Sequence, residues 1–122
     1  VSLFTNGRIQ ANIAAADARL QTALLQYDQT LLRALGEVDS AYQAHTALLQ
    51  QNERLASAHQ QAKKQVNTAD KLFRHGQHTL DDALRARLNE ADLHTQLTQS
   101  RLAQAQAAVA LYKALGGGWS AE

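Results

Sequence analysis

Two histidines, His75 and His78, stand three residues apart in a short turn-like stretch, and this spacing could bind a metal ion. Asp81 and Asp82 follow closely and add two carboxylates, but no convincing third ligand is present. The chain contains no cysteine, so disulfides and thiolate metal sites are excluded. We therefore expect solvated histidines at this turn and no bound metal.

A second set of polar residues, His45, Asn52 and His59, recurs every seven residues within an otherwise apolar pattern. Residues at this spacing share one face of a helix. They could form a polar stripe that lines a channel. They could also fix the register or the oligomeric state of packed helices, as a buried asparagine does in coiled coils, and this second interpretation is favoured.

Catalysis and nucleic-acid binding find little support in the sequence. No serine, histidine and aspartate cluster locally and no glycine-rich phosphate loop is present, so we expect neither an enzyme nor a cofactor site. Twelve basic and eleven acidic residues give a net charge of +1, which argues against a nucleic-acid partner. No apolar run approaches the roughly 18–20 residues of a membrane-spanning helix.

Two long helices must position these polar residues. Residues 1–6 alternate and include strand-forming types, which predicts the end of a strand and suggests a piece of a longer protein. A long first helix is predicted over 7–75. Its only interior glycine, Gly36, disfavours a helix by about 1 kcal/mol relative to alanine and would permit a bend. The remaining predicted elements are a turn over 76–79, a second helix over 80–115 and a tail over 116–122.

Apolar or small residues recur in alternating steps of three and four along both predicted helices, which is the heptad pattern of a coiled coil. On the first helix this seam, interrupted only by the three polar residues above, comprises Ile9, Ile13, Ala16, Leu20, Ala23, Tyr27, Leu31, Ala34, Val38, Ala41, His45, Leu48, Asn52, Leu55, His59, Ala62, Val66, Ala69 and Phe73. On the second helix the seam comprises Leu80, Leu84, Leu88, Ala91, Thr95, Thr98, Leu102, Ala105, Val109 and Tyr112.

The two seams agree on one register. Facing residues of an antiparallel hairpin keep a constant sum of residue numbers, and the paired seams give 153 or 154 throughout, including Leu48 opposite Ala105. The predicted fold class is therefore all-α, a long antiparallel helical hairpin of coiled-coil type.

Each helix also carries a second apolar stripe, which on the second helix includes Ala86, Leu93, Leu97, Ala107, Leu111 and Leu115. A second stripe predicts further helices, either by self-association of the isolated chain into a bundle or in a wall of many helices.

The turn has its own sequence signals. Gly76 can take the left-handed conformation that closes a helix. Thr79 can cap the next helix, with Asp82 three residues later in a capping-box arrangement.

Three stretches of the chain resemble one protein family. They are the opening LFTNGR with Tyr27, Glu37 and Val38 after it, the turn LFRHGQHTLDDALRA, and the ending ALYKALGGGW. Together they resemble TolC-like outer-membrane efflux channels (outer membrane factors), most closely the NodT/OprM-type lipoprotein branch. The resemblance covers essentially the whole chain and identifies it as a C-terminal fragment of such a channel.

The resemblance implies a trimer in which each protomer gives strands to an outer-membrane barrel and helices to a long periplasmic α-barrel. This chain would be the C-terminal periplasmic helical part of an exit duct for drugs, metals or other solutes. Its implied partners are a periplasmic adaptor protein and an inner-membrane efflux pump, with the outer membrane reached through other parts of the protein. The alternative is a stand-alone coiled coil that acts as a structural scaffold or adaptor.

The resemblance also implies site residues at the tip of the hairpin. A constriction of the duct would involve Phe73, His78, Asp82 and Arg85, although an aspartate often stands at the position of Arg85 in the family. Contact with the adaptor would involve Arg74, His75, Gly76 and Gln77. For Asp82 the alternative role is helix capping. In the tail, Gly116 would end the second helix, and Trp119 would anchor the chain on neighbouring helices or belong to a flexible end.

Overall fold

The computed structural model describes residues 2–116, which form two α-helices, α1 (Ser2–Arg74) and α2 (Leu80–Gly116). The all-α hairpin predicted from the sequence is confirmed, and no strand occurs within these residues. α1 continues through Gly36 as one helix. Within the same residues, neither helix combines the length and the hydropathy that crossing a membrane requires.

The beginning of the chain differs from the prediction. Residues 2–6 belong to α1, whereas the sequence predicts the end of a strand there. A strand needs a partner for its backbone N–H and C=O groups, and the described residues offer none, whereas a helix satisfies these groups internally. The predicted tail, including Trp119, lies outside the described residues except for Gly116, which is the last residue of α2.

The chain divides into two units, Val1–Val38 and Asp39–Glu122. In the first unit, every side chain from residue 3 to residue 33 is exposed, among them large apolar ones such as Ile13 (63% exposed) and Leu20 (58% exposed). The second unit contains the remainder of α1, the turn and α2.

The second unit is held by a narrow interface between α1 and α2. Its buried apolar residues are small except for Leu97, and they comprise Ala62, Ala69, Ala83 and Leu97. Small side chains allow the two helices to approach closely. On α1 the buried and half-buried positions include the predicted seam from Ala41 to Ala69. Near the turn, Arg87 Nη2 of α2 lies 2.6 Å from Asp70 Oδ2 of α1 and links the helices at their exposed edge.

α2 packs through a different face from the predicted one. Its buried and half-buried residues include Ala83, Ala86, Glu90, Leu93, Leu97, Ser100, Gln104, Ala107 and Leu111, which we call the small-residue stripe. The predicted seam residues Leu80, Leu84, Leu88, Leu102, Val109 and Tyr112 are 49–81% exposed, and we call them the leucine stripe. Ala105, predicted to face Leu48, is exposed as well. The centres of the two stripes lie about 150° apart around the helix axis, at 100° per residue, so the leucine stripe is nearly opposite the small-residue stripe.

Candidate functional site

The turn between the helices is built around Gly76. This residue has a φ of 73°, the only positive φ found in residues 2–116. The Gln77 N–H donates to the Leu72 carbonyl at 2.8 Å, and the Gly76 N–H donates to the Phe73 carbonyl at 3.0 Å. These two bonds form a Schellman motif, which satisfies carbonyl groups left open at the end of α1. The left-handed glycine predicted from the sequence is confirmed.

α2 begins with the predicted capping box. The Asp82 N–H donates to Thr79 Oγ1 at 3.2 Å, and the Thr79 N–H donates to Asp82 Oδ2 at 3.2 Å. The Thr79 hydroxyl also donates to Asp82 Oδ2 at 3.0 Å. The backbone N–H of Thr79, and after it the hydroxyl, hold the pKa of the Asp82 carboxyl below its ordinary value of 3.8. Asp82 is therefore a charged helix cap.

The four residues proposed for the tip constriction are all exposed. Phe73 is 42% exposed, and His78 Nδ1 lies 3.9 Å from Asp82 Oδ2. Arg85 donates to Asp81 at 2.9 Å, one turn earlier on α2, so its charge is partly balanced by that carboxylate. The proposed adaptor contacts, Arg74, His75, Gly76 and Gln77, are all exposed. Their roles stay predictions.

Away from the tip, two polar clusters cross the interface between the helices. In the first, which we call the asparagine layer, Ser100 Oγ donates to Asn52 Oδ1, and Asn52 Nδ2 donates to Gln104 Oε1 at 2.5 Å. Asn52 is 9% exposed and Ser100 is 5% exposed. α2 therefore supplies a partner to both ends of one buried amide.

The second cluster, which we call the histidine layer, lies two turns nearer the tip on α1. His59 is 6% exposed, and its Nε2 lies 2.7 Å from Glu90 Oε1 of α2. The His94 ring lies beside it, with ring centroids 5.1 Å apart and an angle of 42° between the planes. The third residue of the predicted polar seam, His45, is half-buried on the same face of α1.

These contacts suit a structural role. Within the described residues, no group of three or more histidine, aspartate or glutamate side chains is arranged to hold a metal ion. Both polar layers join α1 to α2, and no described side-chain nitrogen or oxygen that is fully buried lacks a hydrogen-bond partner. The geometry therefore favours the fixing of helix packing over a polar channel lining for Asn52 and His59.

The polar layers explain why the predicted face of α2 is wrong. The predicted pairing places Asn52 opposite Leu102 and His59 opposite Thr95. Leu102 has no polar side-chain atom, and an unsatisfied buried polar group costs about 1–3 kcal/mol. The observed face instead brings Ser100 and Gln104, two residues before and two residues after Leu102, to Asn52. The predicted pairing is thus nearly correct in how far along the helix axes the residues of α1 and α2 meet. It is wrong in which side of α2 faces α1.

Sequence reasoning missed the α2 members of both layers, Glu90, Ser100 and Gln104. One signal for them was present. They lie on the same helical stripe as Leu93, Leu97 and Ala107, and they are the polar residues that the polar positions of α1 need opposite them. A search for matching polar positions on both helices would have selected this stripe, whereas apolar size selects the other one.

A family profile and individual relatives of this chain point to the same protein family. The profile of a family described as outer membrane efflux protein matches residues 1–117. The pyoverdine export outer membrane protein OpmQ of Pseudomonas putida is 32% identical over 120 residues, which are 98% of this chain and 26% of OpmQ. The outer membrane protein OprJ of Pseudomonas aeruginosa is 30% identical over 121 residues, 96% of this chain and 24% of OprJ.

A third relative is the cation efflux system protein CusC of Escherichia coli O6:H1, which is 29% identical over 122 residues, 98% of this chain and 26% of CusC. The chain thus spans about a quarter of the length of these relatives. No solved structure matches it.

Proposed function

Because the chain belongs to the outer membrane efflux protein family, we propose that it is the C-terminal periplasmic helical part of an outer-membrane efflux channel. It forms part of a trimeric exit duct that is complete only with the rest of the protein. The names of its relatives, which refer to pyoverdine export and to cation efflux, support an export role. The transport step in this proposal is passive, and the helices guide the solute.

The leucine stripe is the observation that carries this proposal. Leu88 is 69% exposed, Leu102 is 60% exposed and Tyr112 is 81% exposed, although they lie on a helix that is already packed on its other side. A helix with apolar residues on two faces requires a second neighbour. In a wall of helices, the adjacent hairpins supply that neighbour.

The tip has a separate role in the proposal. The exposed turn from Arg74 to Gln77 contacts a periplasmic adaptor protein, which connects the duct to an inner-membrane pump. Phe73, His78, Asp82 and Arg85 border the constriction of the duct, which opens when the hairpins untwist on adaptor binding. Asp82 combines this position with its capping role, since capping leaves its surface exposed.

A cell-based experiment tests the proposal. The intact protein is expressed in a bacterium that lacks its own efflux channel, together with an adaptor and an inner-membrane pump, and accumulation of a fluorescent dye is measured. We expect the wild-type protein to fractionate with the outer membrane and to lower accumulation. Leu88→Asp, which places a charge in the leucine stripe, should abolish trimers and efflux.

The control for this experiment is Gln96→Asp, at an exposed polar position of the same helix. It should leave trimers and efflux unchanged. A protein that stays out of the outer-membrane fraction, or a Leu88→Asp variant that assembles and exports normally, would favour the stand-alone scaffold instead. A photo-reactive residue at Gln77 should link to the adaptor, and one at Gln61, an exposed position of α1 outside the turn, should not.

A further inference from the structure

α2 offers α1 two usable faces at nearly the same level along the helix axes. The small-residue stripe is the packed one, and the leucine stripe lies about 150° away around the axis, on nearly the opposite side of α2. Leu84, Leu88 and Leu102 are larger than most members of the packed stripe, yet they are 49–69% exposed. Burial of apolar area alone would favour the leucine stripe. Some other contact must therefore select the observed face.

The asparagine and histidine layers supply that selection. Each layer joins a buried polar side chain of α1 to polar side chains that only the small-residue stripe presents, Ser100 and Gln104 for Asn52 and Glu90 for His59. If α2 turned by about half a turn around its axis, Asn52 would face Leu102 and lose its partners. Glu90 would likewise leave His59.

We propose that the two polar layers act together as a rotational selector: they hold α2 on its small-residue stripe, and without them α2 turns about its own axis to bury the leucine stripe. The pairing level along the axes stays the same, and only the face that α2 shows to α1 changes. This inference rests on the contacts within the hairpin, so it holds whether or not the channel function does. In this proposal, the leucine stripe is exposed because buried polar residues on the other side of α2 hold the helix in its observed rotation.

Cysteine pairs can report the rotation, because the chain has no cysteine of its own. Leu55 of α1 lies between the two layers and is half-buried. On α2, Leu97 lies between the layers at 4% exposure, and its neighbour Thr98 is exposed. The pair Leu55→Cys with Leu97→Cys reports the observed face, and Leu55→Cys with Thr98→Cys reports the rotated one. The cross-linked peptides of the intact protein are quantified by mass spectrometry.

In the otherwise unaltered protein, we expect the 55–97 pair to cross-link more efficiently than the 55–98 pair. Replacement of both α1 members of the layers, Asn52→Leu with His59→Leu, removes the need for polar partners. The ratio of 55–98 to 55–97 cross-links should then rise about tenfold or more, since the loss of even one buried hydrogen-bond partner disfavours a packing by roughly that factor. An unchanged ratio would overturn the proposal.

A second variant approaches the layers from α2. Ser100→Ala, Gln104→Ala and Glu90→Ala together remove the partners that Asn52 and His59 have on the packed face, so the ratio should again rise. Gln96→Ala is the matched control, because it removes only the exposed bond from Gln96 to Asp92, and it should leave the ratio unchanged. Loss of both cross-links in both variants, with helicity retained, would also overturn the proposal, because a released α2 must still pair through its leucine stripe.

Discussion

The two halves of α1 carry the same heptad pattern, but only the second half is buried against α2. From Ala41 to Ala69 the seam lies against α2 and includes residues as buried as Ala62, at 2% exposure. From Ile9 to Leu31 every seam residue is exposed, including Tyr27 at 66%. α1 has 73 residues and α2 has 37, so α2 is long enough to accompany only about half of α1.

The two halves show that a heptad pattern alone does not bury a helix face. A seam specifies which side of a helix can be buried, and a partner of matching length and chemistry decides whether it is buried. The exposed half contains the larger side chains, such as Ile13 and Leu20, whereas the paired half buries alanine and polar residues. OpmQ, OprJ and CusC are each about four times as long as this chain, so the additional length of such a protein can supply a partner for that exposed seam.

The largest expected effect comes from a charge placed at equivalent seam positions of the two halves. Ala62→Asp buries a carboxylate against α2 without a cation, and should lower the free energy of unfolding by about 3 kcal/mol or more. Ala23→Asp places the same charge on an exposed seam position and should change it by no more than about 0.5 kcal/mol. Urea unfolding of the chain, followed by far-UV circular dichroism, measures both.

Either substitution could contradict the difference in burial between the two halves of α1. A large loss of stability with Ala23→Asp would mean that the exposed half has a partner in solution, for example a second copy of the chain. Size-exclusion chromatography with light scattering would then find an assembly that the substitution dissociates. An Ala62→Asp variant as stable as the parent would mean that the α1–α2 interface does not hold the hairpin together.

Alanine substitutions at two glycines should change the free energy of unfolding by intermediate amounts and in opposite directions. In each case the backbone conformation of the glycine determines the sign. Gly36 lies inside α1 with open space around it, so Gly36→Ala should stabilise the helix by about 1 kcal/mol. Gly76 also has open space around it, but its positive φ makes an alanine there unfavourable by about 1–2 kcal/mol. The same unfolding measurement should report both, with Gly76→Asn less harmful than Gly76→Ala because asparagine tolerates this conformation. Equal effects of the two alanines would contradict the backbone explanation.

Local signals made the ends of the helices predictable from the sequence. Gly76, Thr79 and Asp82 act through their neighbours in the chain, and all three have the predicted roles in the turn and the cap. The face that α1 uses beyond Val38 was predictable as well, since one seam dominates there. The face of α2 was not, because size favours Leu88 and Leu102 whereas the polar demands of Asn52 and His59 decide. The start of α1 was also missed, because a strand depends on partner strands and the described residues contain none.

The smallest expected effect concerns the cap of α2, which is exposed and independent of how α1 is paired. The pKa of Asp82 is lowered in the folded chain, so the charged cap stabilises the fold above the ordinary value of 3.8, and this contribution is lost as the pH falls through the lower folded value. Thr79→Ala removes the hydroxyl donor but keeps the backbone N–H, which is the larger cause. The Asp82 pKa, followed by NMR of its carboxyl carbon, should therefore rise only part of the way toward 3.8.

Thr79→Ser keeps both donors and should leave the titration of Asp82 unchanged. The difference between the alanine and serine variants isolates the hydroxyl, and what remains of the shift in the alanine variant belongs to the backbone N–H and nearby charges such as His78. If Thr79→Ala restored the ordinary value completely, the capping box would depend on the hydroxyl alone. Because the same substitutions leave Asn52 and His59 untouched, cross-linking between the helices should not respond, and this would separate the local cap from the partner-dependent packing that distinguishes the two halves of α1.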